Sequence, residues 1–176
     1  MEEKNWMELM GEQAIVEKVL DTNSYMEQFG LRLTKEDAKL LAAGRQRALQ
    51  KERRVELGES ILPKLIFTFC DSGYVEQEDF VDTIQRLQEI FFLYKNEMED
   101  EITDDELLNF MKEQFETVCF GDMDYLEGTC LELFAEAVRA GYRGFHASDG
   151  EGEFGKFDIV KRWDRELYLA ALQDLF

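Results

Sequence analysis

The chain has 176 residues, of which 39 are Asp or Glu and 20 are Lys or Arg, giving a formal net charge of -19. Its length is that of one ordinary domain, and an apolar fraction of 45% with 14 phenylalanines excludes disorder by composition. The acidic excess opposes broad contact with nucleic-acid phosphates or an anionic membrane surface, because like charges repel. We therefore expect a folded protein with no nucleic-acid and no membrane partner.

The cysteines and the N-terminus point to one compartment. Cys70, Cys119 and Cys130 form no CxxC pair, and the first residues are acidic without the apolar run of a secretion signal. An odd number of cysteines in such a chain is typical of reduced thiols. The sequence also lacks the run of about 18 apolar residues that a membrane-spanning helix needs. We therefore expect a cytoplasmic location.

Apolar residues recur at helical spacing in nearly every segment, and strand-like alternation is almost absent, which predicts an all-α fold. A first helix is expected over about residues 12–20, followed by a short helical turn that Gly30 ends. Thr34, with Asp37 three residues later, predicts the N-cap of a helix that reaches about Arg54.

The middle of the chain has the clearest helical patterns. Ser60 is the expected cap of a helix whose buried face is Ile61, Leu62, Leu65, Ile66 and Phe69. After a turn at residues 71–73, apolar positions alternate steps of four and three, which predicts a central helix. Its buried positions are Phe80, Ile84, Leu87, Phe91, Tyr94 and Met98.

Two further helices are expected before a glycine-rich segment. Thr103 and Glu106 have the spacing of a capping box, and the helix they open would bury Leu107, Met111, Phe115 and Val118. After Gly121, Asp122 or Asp124 is the expected cap of a helix that ends near Arg139.

Residues 141–156 contain five glycines and are expected to form a mobile loop. A short extended segment or helical turn at residues 157–160 and a last helix from about Asp164 complete the chain. The prediction is therefore a single all-α domain over residues 1–176, a bundle-like array of about six to eight helices.

The acidic junction, which we define as residues 97–106, holds seven carboxylates in ten positions. Such a cluster attracts divalent cations, but Asp104, Asp105 and Glu106 also suit the positive N-terminus of a helix. His146, the sole histidine, lies in the glycine-rich loop, which excludes multi-histidine metal sites. No catalytic residue, metal site or cofactor is predicted. A small-molecule- or divalent-metal-binding enzyme, with its site near that loop and the acidic junction, is the alternative hypothesis.

Residues 31–60 depart from the acidic balance, with eight basic and five acidic residues, so the net charge there is +3 and the rest of the chain carries -22. Arg47, Lys51 and Arg54 have the i, i+4, i+7 spacing of one helix face. Arg45 lies within the apolar stripe and is expected to be partly buried and paired. Either these cations pair with the protein's own acids, or Arg45, Arg47, Lys51 and Arg54 bind an anion or an acidic partner.

Five short sequence segments resemble those of an uncharacterised family of small bacterial proteins, a domain of unknown function. They are QFGLRLT (28–34), GESILPKLI (58–66), FCDSGYV (69–75), LYKNEMEDEITDDELL (93–108) and CFGDMDYLEGT (119–129). The resemblance covers roughly residues 25–140 and implies a bacterial cytoplasmic protein, but it supplies no activity, cofactor or partner. With no catalytic constellation recognised, a non-enzymatic helical module that binds another protein is the predicted function. The sequence leaves the oligomeric state open.

Overall fold

The computed structural model describes residues 6–56 and 59–140, and within these ranges every regular element is helical. The all-α prediction is therefore confirmed, with six helices of eight residues or more in the described part of the chain. The α-helices are α1 (Trp6–Asp21), α2 (Asn23–Met26), α3 (Lys35–Glu52), α4 (Ile61–Phe69), α5 (Phe80–Glu97), α6 (Asp104–Thr117), α7 (Met123–Tyr125) and α8 (Glu132–Arg139). The expected loop at 141–156, the segment at 157–160 and the last helix lie outside the described residues.

The contacts divide the chain into two compact units, residues 1–92 and residues 93–176. The first unit contains α1 to α4 and most of α5, and the second contains the end of α5 and α6 to α8. Whether the chain is a single domain stays a prediction.

In the first unit, α1 packs against α3 and α4. All five residues predicted to form the inner face of α4 are buried: Ile61, Leu62, Leu65, Ile66 and Phe69. The Ser60 hydroxyl accepts a hydrogen bond from the Leu62 N–H at 3.2 Å and so caps this helix as expected. The buried face of α4 was therefore predicted correctly from the sequence pattern.

The start and the end of α3 have clear local causes. Thr34 and Asp37 form a reciprocal capping box, in which Thr34 Oγ1 accepts from the Asp37 N–H at 3.1 Å and Asp37 Oδ2 accepts from the Thr34 N–H at 2.9 Å. The helix ends at Glu52, slightly before the predicted Arg54, because Arg53 adopts a left-handed conformation with φ of 55°.

Two further features differ from the sequence predictions: the start of α1 and the helix type after Asp122. Helix α1 begins at Trp6, six residues before the predicted start at Glu12, and runs through Gly11. In the second unit, the helix that Asp122 caps is not uniformly α-helical, since the segment Leu126–Leu131 between α7 and α8 is a π-helix. Two adjacent residues of this segment, Cys130 and Leu131, are fully buried.

The second unit is built around α6 and α8. The Thr103 hydroxyl accepts from the Glu106 N–H at 3.1 Å, so the predicted cap of α6 is in place. Phe110 of α6 stacks on Phe134 of α8, with ring centroids 3.9 Å apart and an interplanar angle of 14°. Of the predicted inner positions of α6, Leu107, Met111 and Phe115 are buried, and Val118 is half-buried.

Candidate functional site

The four basic residues singled out from the sequence occupy different environments on α3 and just after it. Arg45 Nε donates a hydrogen bond to Glu56 Oε1, and the two side chains are only 14% and 11% exposed. Glu56 Oε2 also accepts from the Ile61 N–H at 2.7 Å, at the start of α4. Arg45 is thus partly buried and paired, as its position in the apolar stripe indicated, and Arg54 is half-buried.

Arg47 and Lys51 are exposed, in contrast to Arg45. Leu40, whose side chain lies on the same helical face because it precedes them by two and three turns, is 59% exposed. Within residues 6–56 and 59–140, neither cation has an ion-pair or hydrogen-bond partner. We define Leu40, Arg47 and Lys51 as the basic face of α3.

Lys39, on the same helix, forms an ion pair within the chain. Its ammonium lies 3.6 Å from the Glu36 carboxylate, three residues away, as surface lysines on helices commonly do. The basic face carries no such acidic neighbour among the described residues, so its charge points to solvent. This geometry suits attraction of a negatively charged partner, with Leu40 providing apolar contact.

A buried lysine that precedes the acidic junction in sequence binds oxygen atoms within it. Lys95 is buried, and its Nζ donates to the Ile102 carbonyl at 2.8 Å and to Asp104 Oδ1 at 2.9 Å, with Asp100 Oδ1 at 3.5 Å. An ammonium among these oxygens neutralises charge that a metal ion would otherwise neutralise. In the described part of the chain, no group of three or more His, Cys, Asp or Glu side chains is arranged to hold a metal ion. His146 lies outside that part, so the enzyme hypothesis stays a prediction.

An open cleft of about 250 Å³ lies in the second unit, on the surface of α5 and α8. It is lined by Leu93, Tyr94, Glu97, Glu132, Ala135 and Arg139. Arg139 Nη1 donates to the Glu97 carboxylate at 3.1 Å and to the Glu97 carbonyl at 3.0 Å. The Tyr94 hydroxyl donates to the Glu127 carbonyl, and burial followed by the charges of Glu132 and Glu127 raises the pKa of this phenol. Tyr94 therefore stays protonated at neutral pH and is unsuited to act as a base.

Cys70, Cys119 and Cys130 are all buried, and none of the three forms a disulfide bond. Cys119 Sγ and Cys130 Sγ are 3.6 Å apart. The hydrogen bond with Cys130, and then burial, raise the pKa of the Cys119 thiol. A catalytic cysteine needs a lowered pKa, so this environment opposes nucleophilic catalysis by Cys119.

Three aromatic rings of the first unit, of which Tyr25 is half-buried and the other two are exposed, form a cluster that the sequence pattern did not indicate. Tyr25 stacks on Phe67 with centroids 4.2 Å apart and contacts Phe29 edge-on at 5.4 Å. Phe29 is 39% exposed and Phe67 is 53% exposed. The available signal was that Phe67 lies outside the buried stripe of α4. Large exposed aromatics are unusual on a protein surface and common at interfaces.

Comparison with known proteins gives little functional guidance. No curated protein and no solved structure matches the chain. A model of a family of unknown function matches residues 18–144, which is more than half of the sequence. In the described residues, no helix is both long enough and apolar enough to cross a membrane.

Proposed function

We propose that this chain, which belongs to the family of unknown function DUF6323, is a non-enzymatic helical module. In this proposal it binds another protein through the basic face of α3. The observation that carries the proposal is the exposure of Arg47 and Lys51 beside Leu40, without ion-pair partners in the described part of the chain. The partner offers an acidic segment with at least one apolar side chain.

The charge distribution supports this choice of partner. Acidic residues outnumber basic ones by 39 to 20 in the chain, yet the basic face lacks ion pairs with the described acidic residues. Two cations and an exposed leucine on one rigid helix form a compact surface, and arginine is over-represented among residues that dominate binding energy. Electrostatic attraction accelerates association with an acidic segment, while the Leu40 contact adds apolar burial.

The chemistry of the remaining sites supports a binding role over catalysis. The pKa of Tyr94 and the pKa of the Cys119 thiol are both raised, which takes these groups away from the ionised forms that a base or a nucleophile needs. Three buried thiols fit a reducing compartment, so we place the module in the bacterial cytoplasm.

The test is affinity capture from the bacterial cell extract in which the protein occurs. The baits are the unaltered protein, the double variant Arg47→Glu/Lys51→Glu, and the control Lys18→Glu/Lys35→Glu. The control makes the same change of charge at exposed lysines away from the basic face. We expect the unaltered protein and the control to capture the same partner at low salt, and the Arg47/Lys51 variant to lose at least tenfold of it. Equal capture by both variants, or no partner for any bait, would refute the proposal.

Salt provides a second measurement on the same baits. At about 300 mM NaCl the screening length falls to a few ångströms, so capture that depends on Arg47 and Lys51 weakens strongly. A partner held with undiminished yield at this salt concentration would show that charge does not carry the interaction.

A further inference from the structure

Two of the three cysteines lie side by side in the second unit, although ten residues separate them in the sequence. Cys119 Sγ and Cys130 Sγ are 3.6 Å apart, and the residues are 6% and 0% exposed. The length of a disulfide bond is about 2.05 Å, so the sulfur atoms need to approach by about 1.5 Å to become bonded. A motion of this size lies within the range of small side-chain and backbone adjustments.

The backbone is irregular at both thiols. Next to Cys119, Phe120 has φ of 50° and Gly121 has φ of 85°, and the Cys119 N–H bonds to the Gln114 carbonyl, five residues back. Cys130 lies within the π-helical segment Leu126–Leu131. An approach of the sulfur atoms therefore does not require a regular α-helix to break at either position. Short π-helical segments are also frequent at functional sites.

We propose that Cys119 and Cys130 are a site of reversible oxidative modification, at which a peroxide converts the two thiols into a disulfide. In the first step the Cys119 sulfur, having released its proton, attacks one oxygen of hydrogen peroxide. The O–O bond breaks, Cys119 becomes a sulfenic acid, and the departing hydroxide takes up the proton as water.

In the second step the Cys130 sulfur attacks the Cys119 sulfur. The S–O bond breaks, the hydroxide leaves and combines with the proton of Cys130, and the S–S bond forms. In total, two thiols lose two electrons and two protons, and one hydrogen peroxide is reduced to two waters. A small-molecule thiol reverses the modification by thiol–disulfide exchange.

The burial and contacts of the two thiols determine the order and the rates of the two steps. Cys119 reacts first because it is 6% exposed and precedes Phe120, which is 66% exposed, whereas Cys130 is fully buried. Since its contact with Cys130 and burial raise the pKa of the Cys119 thiol, the first step is slow and needs sustained peroxide. The second step is fast, because the attacking sulfur is already in contact with its target.

The disulfide closes the segment between the two cysteines, which carries the exposed side chains of Phe120 and Tyr125. Cross-linking reduces the conformational entropy of the unfolded chain, so we expect the oxidised protein to melt several degrees higher than the reduced protein.

The experiment treats the folded, full-length chain with hydrogen peroxide, alkylates remaining thiols in denaturant and measures the mass. We expect loss of two hydrogen atoms, alkylation of Cys70 alone, and full reversal by dithiothreitol. Digestion with a protease that cuts after glutamate separates the two cysteines at Glu127, so only a disulfide keeps the fragments joined.

The variant Cys130→Ser tests the first step separately from the second. In Cys130→Ser the sulfenic acid on Cys119 has no neighbouring thiol with which to form a disulfide. We therefore expect dimedone to trap this sulfenic acid, with at least tenfold less trapped in the unaltered chain. The result for the unaltered chain stands whether or not this variant folds. Two alkylatable thiols at positions 119 and 130 after prolonged peroxide treatment would overturn the proposal, and so would a sulfinic acid on Cys119 without a joined fragment.

Discussion

At the scale of single residues, the ion pair of Arg45 and Glu56 shows that a basic residue of this segment stabilises the fold. The guanidinium lies almost buried beside the carboxylate, and the second carboxylate oxygen accepts from the Ile61 N–H. The pair therefore connects α3 to the start of α4 by hydrogen bonds at both oxygens of Glu56. Arg45 is held in this contact, and of the four basic residues singled out from the sequence, Arg47 and Lys51 are the two that are exposed to solvent.

Removing one partner of this pair is expected to be costly. Arg45→Ala leaves the Glu56 carboxylate largely buried without its counter-charge, so the free energy of unfolding falls by about 3 kcal/mol. Urea denaturation followed by circular dichroism measures the change. The double variant Arg45→Met/Glu56→Gln removes both charges and is expected to lose less than Arg45→Ala. A loss below about 0.5 kcal/mol for Arg45→Ala would indicate a solvated surface pair.

Gly44 is a second residue whose role depends on a close contact. It lies buried in α3, and a Cβ atom there would stand 1.8 Å from Gln85 Oε1. Gln85 Oε1 in turn accepts from Gln88 Nε2 at 3.2 Å, and Gln88 is fully buried. A side chain at position 44 therefore displaces the acceptor of a buried amide.

We expect Gly44→Ala to lower the free energy of unfolding by about 1 kcal/mol, because the lost hydrogen bond outweighs the better helix propensity of alanine. The matched control is Gly11→Ala in α1, where a Cβ meets nothing within 4 Å and the change is expected to stabilise. In a Gln85→Ala background Gly44→Ala should also stabilise. Urea denaturation of the unaltered protein and of the four variants (Gly44→Ala, Gly11→Ala, Gln85→Ala and Gln85→Ala/Gly44→Ala) tests this, and a stabilising Gly44→Ala in the unaltered background would contradict the contact.

At the scale of elements, local signals explain what the sequence predicted. The caps at Thr34, Ser60 and Thr103 depend on one side chain and a backbone N–H two or three residues away, so spacing alone identifies them. The apolar repeat of α5 requires burial of one face whatever its neighbours are. The inner faces of α4 and α5 were predictable for this reason.

The elements that differ from prediction depend on contacts that sequence spacing does not encode. Residue spacing does not mark Leu126–Leu131 as π-helical. It also does not identify the partner of Arg45, because Glu56 lies eleven residues away. A single glycine in a helix costs only about 1 kcal/mol, so α1 continues through Gly11 and begins before the predicted start at Glu12. For the candidate site, spacing identified one shared face for Arg47 and Lys51, whereas the exposure of Leu40 required the structure.

At the scale of the whole molecule, the net charge of -19 has two opposite consequences for salt dependence. Repulsion among the excess carboxylates destabilises the folded chain, and added salt screens it. Attraction between the basic face and an acidic partner is screened by the same ions. Stability and binding are therefore expected to respond to salt in opposite directions.

We expect the melting temperature to rise by several degrees between about 20 and about 300 mM NaCl, while partner capture falls over the same range. Differential scanning calorimetry measures the first quantity at each salt concentration used for capture. Arg47→Glu/Lys51→Glu, which makes the chain still more negative, should melt lower than the unaltered protein at low salt and approach it at high salt. A melting temperature that falls with salt would mean that ion pairs such as Arg45–Glu56 and Lys95–Asp104 outweigh the repulsion. In that event weakened folding also lowers capture at high salt, and the contribution of the basic face to binding is measured by capture normalised to the folded fraction.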